Sequence, residues 1–346
     1  MGADGGIGRA RPVTRHLDES DIRIRPSRRG SRPRTKQRPA HDDAARGFVV
    51  GVNRGRYDVL VDGRDVVAMK ARELGRASVV VGDDVAVVGD TSGAPGSLAR
   101  IVRVTPRRTA LRRSADDIDA VERVVVANAD QLVIVTALAD PEPRARMVDR
   151  CLVAAYDADM DALLCLTKAD LAEPGPFLEQ YTPLDVPAVV TRREGETIVG
   201  LDEVRDALTG RTSVLIGHSG VGKSTLVNAL VPDADRAVGR VNDVTGRGRH
   251  TSTSAVALAL PGGGWVIDTP GVRSFGLAHV REEDLLAAFA DLAEVARECP
   301  RGCTHLADAP DCALDDWIAS GEAGPRGEAR VVSFRRLLAH RSGGDE

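Results

Sequence analysis

The feature that most constrains this chain is the order of three short motifs. Gly217-His218-Ser219-Gly220-Val221-Gly222-Lys223-Ser224 has the Gly-rich spacing of a phosphate-binding loop. Its glycines let backbone N–H groups turn inward around phosphates, Lys223 reaches the β- and γ-phosphates, and the Ser224 hydroxyl suits Mg²⁺. The apolar run Ser213–Ile216 precedes the loop and an apolar-faced segment from Lys223 to Leu230 follows it. This is a strand, a turn and a helix whose N-terminus favours anions. Downstream, Asp268-Thr269-Pro270-Gly271 ends the apolar run Trp265-Val266-Ile267. A carboxylate there suits a water-mediated Mg²⁺ contact, and the Gly271 amide suits the γ-phosphate. Upstream, Thr167-Lys168-Ala169-Asp170 follows the apolar run Ala162–Leu166. One carboxylate at Asp170 can accept from the two adjacent N–H groups that guanine presents and adenine lacks, while the Lys168 stem packs on the base. Alone, this tetrapeptide reads equally well as a helix N-cap before Leu171-Ala172-Glu173; with the other two motifs it reads as the guanine contact.

In ordinary small GTPases the guanine motif comes last. Here it precedes the phosphate loop, which defines a circularly permuted arrangement. The GTP-binding set is then Thr167, Lys168, Asp170, Gly217, His218, Ser219, Gly220, Val221, Gly222, Lys223, Ser224, Thr225, Asp268 and Gly271, with Thr191 a candidate for backing the base. Thr167 departs from the usual Asn but keeps a hydrogen-bonding side chain. Val244–Thr253 is rich in Gly, Arg and hydroxyls and lacks apolar anchors, as a nucleotide-ordered switch does. Within it Thr251 is the candidate second Mg²⁺ ligand beside Ser224, with Ser252 the alternative. The residue after Gly271 is Val272, where many GTPases place a water-positioning Gln. Valine cannot orient water, which leaves His250 as the local catalytic candidate; its bland reading is a solvated loop histidine.

The rest of the chain frames these motifs. Residues 1–44 are rich in Gly, Arg, Pro and Ser without apolar periodicity, and read as a disordered basic arm. Residues 45–113 read as all-β, with five short strands (47–52, 57–61, 78–81, 85–88 and 101–104) suggesting an OB-fold barrel that binds RNA. Phe48 and Tyr57 are its only aromatics, which argues against base stacking; Arg107, Arg108, Arg112 and Arg113 offer phosphate contacts instead. Residues 114–278 alternate strands and helices as in a parallel α/β sheet, whose ligands bind beyond the strands' carboxyl ends. Residues 279–346 read as helical, with helices over 282–297 and about 328–340. Between them Cys299, Cys303, His305 and Cys312 form a Cys₃His set suited to one structural, tetrahedral Zn²⁺. Cys151 and Cys165 read as core residues. No apolar run approaches the ~20 residues of a membrane span, and Met1–Arg15 lacks the apolar core of a secretory signal. Five cysteines, an odd count, fit a reduced cytoplasmic protein.

These stretches resemble one family, the ribosome small subunit-dependent GTPases (RsgA, also YjeQ or YloQ). The resemblance runs through Val81-Gly82-Asp83-Asp84-Val85, Arg107-Arg108-Thr109-Ala110-Leu111, Ala127-Asn128-Ala129-Asp130-Gln131, the three nucleotide motifs and Gly248-Arg249-His250-Thr251. It covers roughly residues 46 to 340, and the spacing of the zinc ligands differs somewhat from the family's usual pattern. It implies a multidomain protein: OB-fold, circularly permuted α/β GTPase domain and small helical zinc domain. It also implies a cytoplasmic enzyme, expected as a monomer, that binds the 30S subunit and 16S rRNA, hydrolyses GTP to GDP with Mg²⁺ and assists late subunit maturation. The reading from another class is a zinc- and OB-containing RNA-binding protein that keeps GTP as a structural ligand with negligible turnover. Measuring hydrolysis with and without 30S subunits separates the two.

Overall fold

A computed structural model describes residues 41–53, 55–75, 78–114, 122–232, 234, 255–269, 277 and 280–341. Residues 1–40 of the basic arm, the switch candidates Thr251 and Ser252, the catalytic candidate His250, and Gly271 and Val272 lie outside these residues.

The first five strands are β1 (Ala45–Asn53), β2 (Arg56–Val61), β3 (Arg64–Lys70), β4 (Asp84–Gly89) and β5 (Ala99–Val104). They pair in the order β1-β2-β3-β5-β4, and β4 returns to β1, closing a barrel. Pairing is antiparallel except between β3 and β5. The interior is built from alternate residues, among them Val49, Val59, Val66, Ala68, Val87 and Ile101.

Sequence reading placed the third strand at 78–81. The structure instead puts it at β3, because Asp62 and Gly63 both take positive φ (46° and 75°) and fold the chain straight back into a hairpin. Residues 78–81 are an extended connection. Val79 enters the barrel core while Val81 enters the neighbouring core and bridges to Val126.

A hairpin of β6 (Ala110–Ser114) and β7 (Glu122–Ala127) leads into the second sheet. There β8 (Gln131–Ala137), β9 (Asp161–Thr167), β10 (Ala188–Val190), β13 (Thr212–Gly217) and β15 (Trp265–Asp268) run parallel, in the order β10-β9-β8-β13-β15. All seven residues of β8 are buried, as expected of a strand covered on both faces. The short β14 (Val256–Ala259) lies antiparallel on β15 and also meets β1 through Gly51 and Val256. One sheet therefore runs from the barrel into the α/β unit. Phe48 of β1 packs on Trp265 of β15 with ring centroids 5.0 Å apart.

The two units are locked by the stretches around Asp83, Arg107 and Asn128. Asp83 is fully buried; its carboxylate accepts from the Val80 amide at 2.8 Å and from the Arg107 guanidinium at 2.7 and 2.9 Å. Asn128 donates to the Gly82 carbonyl at 2.8 Å and accepts from the Arg108 amide at 2.9 Å. Gly82 has φ +90°, and an added Cβ would lie 2.0 Å from the Ala127 carbonyl oxygen. This overturns the expectation of a free phosphate contact at Arg107, which is tied to Asp83; Arg108 is exposed and pairs with Asp130 at 3.1 Å.

Helices α1 (Ala145–Asp157), α2 (Gly175–Leu178), α3 (Leu201–Leu208) and α4 (Lys223–Leu230) belong to the α/β unit. After it come α5 (Glu282–Ala287), α6 (Ala290–Val295), α7 (Ala313–Ala319) and α8 (Gly324–Arg341). The single helix expected over 282–297 is broken at Phe289, whose backbone leaves the helical region (φ −118°, ψ 79°). The break lets its buried ring meet Tyr156 of α1 and Phe334 of α8 edge-on, at 5.4 and 5.5 Å. The α/β unit and the helical unit thus share one core. At its margin Arg336 and His340 of α8 lie 3.1 and 2.9 Å from Asp149, a buried carboxylate on α1.

Candidate nucleotide site and metal centre

The three motifs converge at the carboxyl edge of the parallel sheet. Gly217 ends β13 and Thr167 ends β9, while Asp268 ends β15. The phosphate loop needs its glycines here: Gly222 takes φ +91° as α4 begins, and a Cβ on Gly217 would lie 2.5 Å from the Val135 carbonyl. Lys223 Nζ forms an ion pair with Asp268 Oδ1, so the group suited to phosphate and the group suited to Mg²⁺ face each other. Thr269 fixes the start of the downstream loop by donating to the Leu215 carbonyl at 2.9 Å, inside the core.

Thr167 joins the guanine motif to the phosphate loop. Its hydroxyl, almost wholly buried, donates to the Val221 carbonyl at 2.6 Å. The next residue, Lys168, adopts φ 60° and places its ammonium on the Asp140 carbonyl. Asp170 remains exposed, with Oδ1 accepting from the Arg193 amide at 3.0 Å. That backbone hydrogen bond is the main cause holding its carboxyl below the usual range, so the charged acceptor needed for guanine is the stable form. A pocket of about 220 Å³ lies between the motifs, lined by Thr167, Lys168, Asp170, Thr191, Gly222 and Thr225. Thr191 is buried and accepts the Ala169 amide on its carbonyl at 3.1 Å. Sequence reasoning missed the rest of the lining. Leu171, Leu226 and the hairpin of β11 (Arg192–Glu194) and β12 (Thr197–Val199) also form walls. Gly195-Glu196 between two three-residue β-runs was the available signal.

In the helical unit, the ligand atoms of Cys299, Cys303, His305 and Cys312 all lie within 4.8 Å of one another. Cys299 Sγ is 3.6 Å from His305 Nδ1 and 4.0 Å from Cys312 Sγ, and Cys312 Sγ is 3.8 Å from the same nitrogen. A tetrahedral ion with bonds of about 2.0–2.3 Å holds its ligand atoms about 3.5–3.8 Å apart, so the cluster fits one metal ion. Burial, the first cause, and the neighbouring thiols push Cys299 up to about 11, a strain a cation relieves. Burial also holds His305 below its usual range, in the neutral ligating form. Outer partners are present: the Ala313 amide donates to Cys299 Sγ at 3.3 Å, and Arg335 reaches Cys312 Sγ at 3.9 Å and the His305 carbonyl at 3.0 Å. Cys151 and Cys165, both fully buried, are pushed up to about 12 by burial and take no part.

A closed five-stranded barrel, a parallel sheet with its guanine motif ahead of its phosphate loop, and a Cys₃His helical unit define a circularly permuted, GTP-hydrolysing P-loop enzyme. Comparison with known proteins gives the family. The RsgA GTPase family model matches residues 104–278. "Small ribosomal subunit biogenesis GTPase RsgA" of Pseudomonas aeruginosa is 40% identical over 270 residues, 76% of either chain. The protein of that name from Streptomyces coelicolor is 39% identical over 306 residues, 84% of this chain and 79% of that one. Among solved structures, YjeQ from Thermotoga maritima is 27% identical with a TM-score of 0.59, covering 85% of this chain and 98% of that one. YloQ, described as a circularly permuted GTPase, has a similar fold at 23% identity and a TM-score of 0.60, covering 87% and 97%. The chain belongs to the RsgA GTPase family.

Proposed function

We propose that this protein is a cytoplasmic, monomeric GTPase that docks on the small ribosomal subunit, is stimulated by it, and assists its late maturation. The observation that carries the reading is the meeting of Asp170, the Gly217–Ser224 loop and Asp268 at one sheet edge, together with relatives named for small-subunit biogenesis. Asp170 and Lys168 read guanine, the phosphate loop with Thr225 holds the phosphates, and Gly271 senses the γ-phosphate. Ser224 and Thr251 would hold Mg²⁺, with Asp268 beside it, and the ion would supply neutralisation of the phosphate charge. His250 positions the attacking water, because Val272 cannot. The metal at Cys299, Cys303, His305 and Cys312 is Zn²⁺ in a closed structural role: thiolate-rich tetrahedral sets favour it over oxygen-seeking ions.

The rRNA contact is assigned to the barrel. Arg46 and Arg103 flank Ala86 in one cross-strand row, and Arg56 and Arg100 flank Met69 in another. All four arginines are exposed. Tyr57 is buried and Phe48 is packed on Trp265, so this face is suited to phosphates rather than to stacked bases. Co-sedimentation with purified 30S and 50S subunits tests the reading. Association with 30S in a non-hydrolysable GTP analogue, lost on Arg46→Glu/Arg103→Glu, is expected; equal association with both subunits contradicts it.

A further inference from the structure

We propose that the β11–β12 hairpin, with Leu171, is the outer wall of the base pocket and sets how strictly the protein selects guanine. The inference rests on the guanine-nucleotide reading above. It starts from an exposed leucine. Leu171 is 57% exposed and is one of three large hydrophobic side chains in that state among the described residues. Such a residue beside a pocket is explained when a flat, apolar-faced ligand covers it. Ile198, half-buried on β12, lines the same pocket.

The hairpin is anchored where this role needs it. At its base Gly200 takes φ +89°, and a Cβ there would lie 2.2 Å from the Val190 carbonyl, so the returning chain is pressed against β10. The Thr191 amide donates to the Leu166 carbonyl at 2.7 Å, which ties the hairpin's root to the strand carrying the guanine motif. Along its outer face Arg192 pairs with Glu194 at 2.8 Å.

Arg193 provides the link to specificity. It stands opposite Ile198 in the hairpin register, yet its amide points away from the partner strand and donates to Asp170 Oδ1. Asp170 has no other inter-residue hydrogen bond from a backbone amide among those described for it. The Arg193 amide therefore fixes the plane of the carboxylate that must accept from two N–H groups of guanine at once. A carboxylate free to rotate still accepts one bond but loses the paired geometry. Ile198 and Leu171 supply contact that any purine shares; the Arg193 amide supplies the part that distinguishes guanine.

Hypoxanthine separates the two contributions, because it lacks the exocyclic amine and offers one N–H where guanine offers two. Dissociation constants of GDP and IDP would be measured by isothermal titration on the full chain and three variants. Arg193→Pro removes one amide hydrogen that the hairpin ladder does not use, in a strand edge that tolerates proline. It is expected to lower the preference for GDP over IDP by about fivefold or more. Leu171→Ala and Ile198→Ala are expected to weaken both nucleotides alike, by roughly fivefold each, with the preference unchanged. Leu171→Ala alters an exposed side chain and keeps the test open should a hairpin variant unfold. Native preference in a folded Arg193→Pro variant, or native affinities in Leu171→Ala and Ile198→Ala, would overturn the inference while leaving the guanine site intact. A native protein that binds GDP and IDP equally would overturn the guanine reading and the inference together.

Discussion

The hydroxyl of Thr167 donates to the carbonyl oxygen of Val221 at 2.6 Å, so the first residue of the guanine motif is bonded to the middle of the phosphate loop. The bond crosses from β9 to the loop after β13 and holds the base-reading and phosphate-holding parts at a fixed separation. It also accounts for threonine at this position: a short hydroxyl reaches the carbonyl from inside the core, where Thr167 is 6% exposed. Thr167→Val keeps the shape and removes the donor, leaving a buried carbonyl unpaired at a cost of about 1–3 kcal/mol. GDP affinity and the urea midpoint are both expected to fall. An unchanged midpoint with unchanged affinity contradicts this role.

Selection of guanine is expected to rest on Asp170. Asp170→Asn replaces one acceptor oxygen with a donor, which matches xanthine better than guanine. Competition titration should show preference moving from GDP toward XDP. A native protein that binds ATP as tightly as GTP contradicts the assignment.

Much of this site was legible in the sequence because phosphate and guanine chemistry demand particular residues at fixed spacing. The phosphate loop, Asp268 and the Thr167–Asp170 motif could be placed at the carboxyl ends of strands from the apolar runs before them. The Cys299–Cys312 cluster was legible for the same reason. The hairpin at Arg192–Val199 was not, since its first strand, Arg192–Glu194, is charged and exposed and its second, Thr197–Val199, is three residues long, too short to show apolar alternation. Strand β3 was displaced onto residues 78–81 because Ser78-Val79-Val80-Val81 is the more apolar run, although the Asp62-Gly63 turn commits the chain to β3. The arginine at 107 reads as a surface cation until its partner is known. Asp83 lies 24 residues away, and the antiparallel pairing of β4 with β5 brings the two together.

Arg107→Leu should be strongly destabilising. Asp83 has no solvent exposure, and losing its guanidinium leaves a buried charge uncompensated, at about 3–5 kcal/mol. Chemical denaturation is expected to show this loss, with part of it recovered in the Arg107→Leu/Asp83→Asn double variant. A loss under about 1 kcal/mol, the range of exposed pairs, contradicts the reading of this contact as a buried anchor where the chain leaves the barrel.

Elemental analysis should find one Zn²⁺ per chain. Ligation needs thiolates and a neutral imidazole, so protons compete with the metal. With Cys299 pushed up to about 11 in the free site, zinc affinity should rise with pH across the neutral range and fall on acidification. Cys303→Ser should release the metal and lower the thermal midpoint, since binding energy is folding energy here. Metal-free protein with a native melting curve contradicts the site.

The most direct test is GTP turnover measured with and without purified 30S subunits, on the native protein and on His250→Ala. The native protein is expected to be slow alone and accelerated by 30S by roughly the 10²–10⁴ that a positioned catalytic group supplies. His250→Ala should keep its GTP affinity, which rests on Lys223, Ser224 and Asp170, and lose most of the acceleration. Turnover that 30S leaves unchanged in the native protein contradicts the account of a ribosome-stimulated GTPase; full acceleration in His250→Ala contradicts the catalytic assignment.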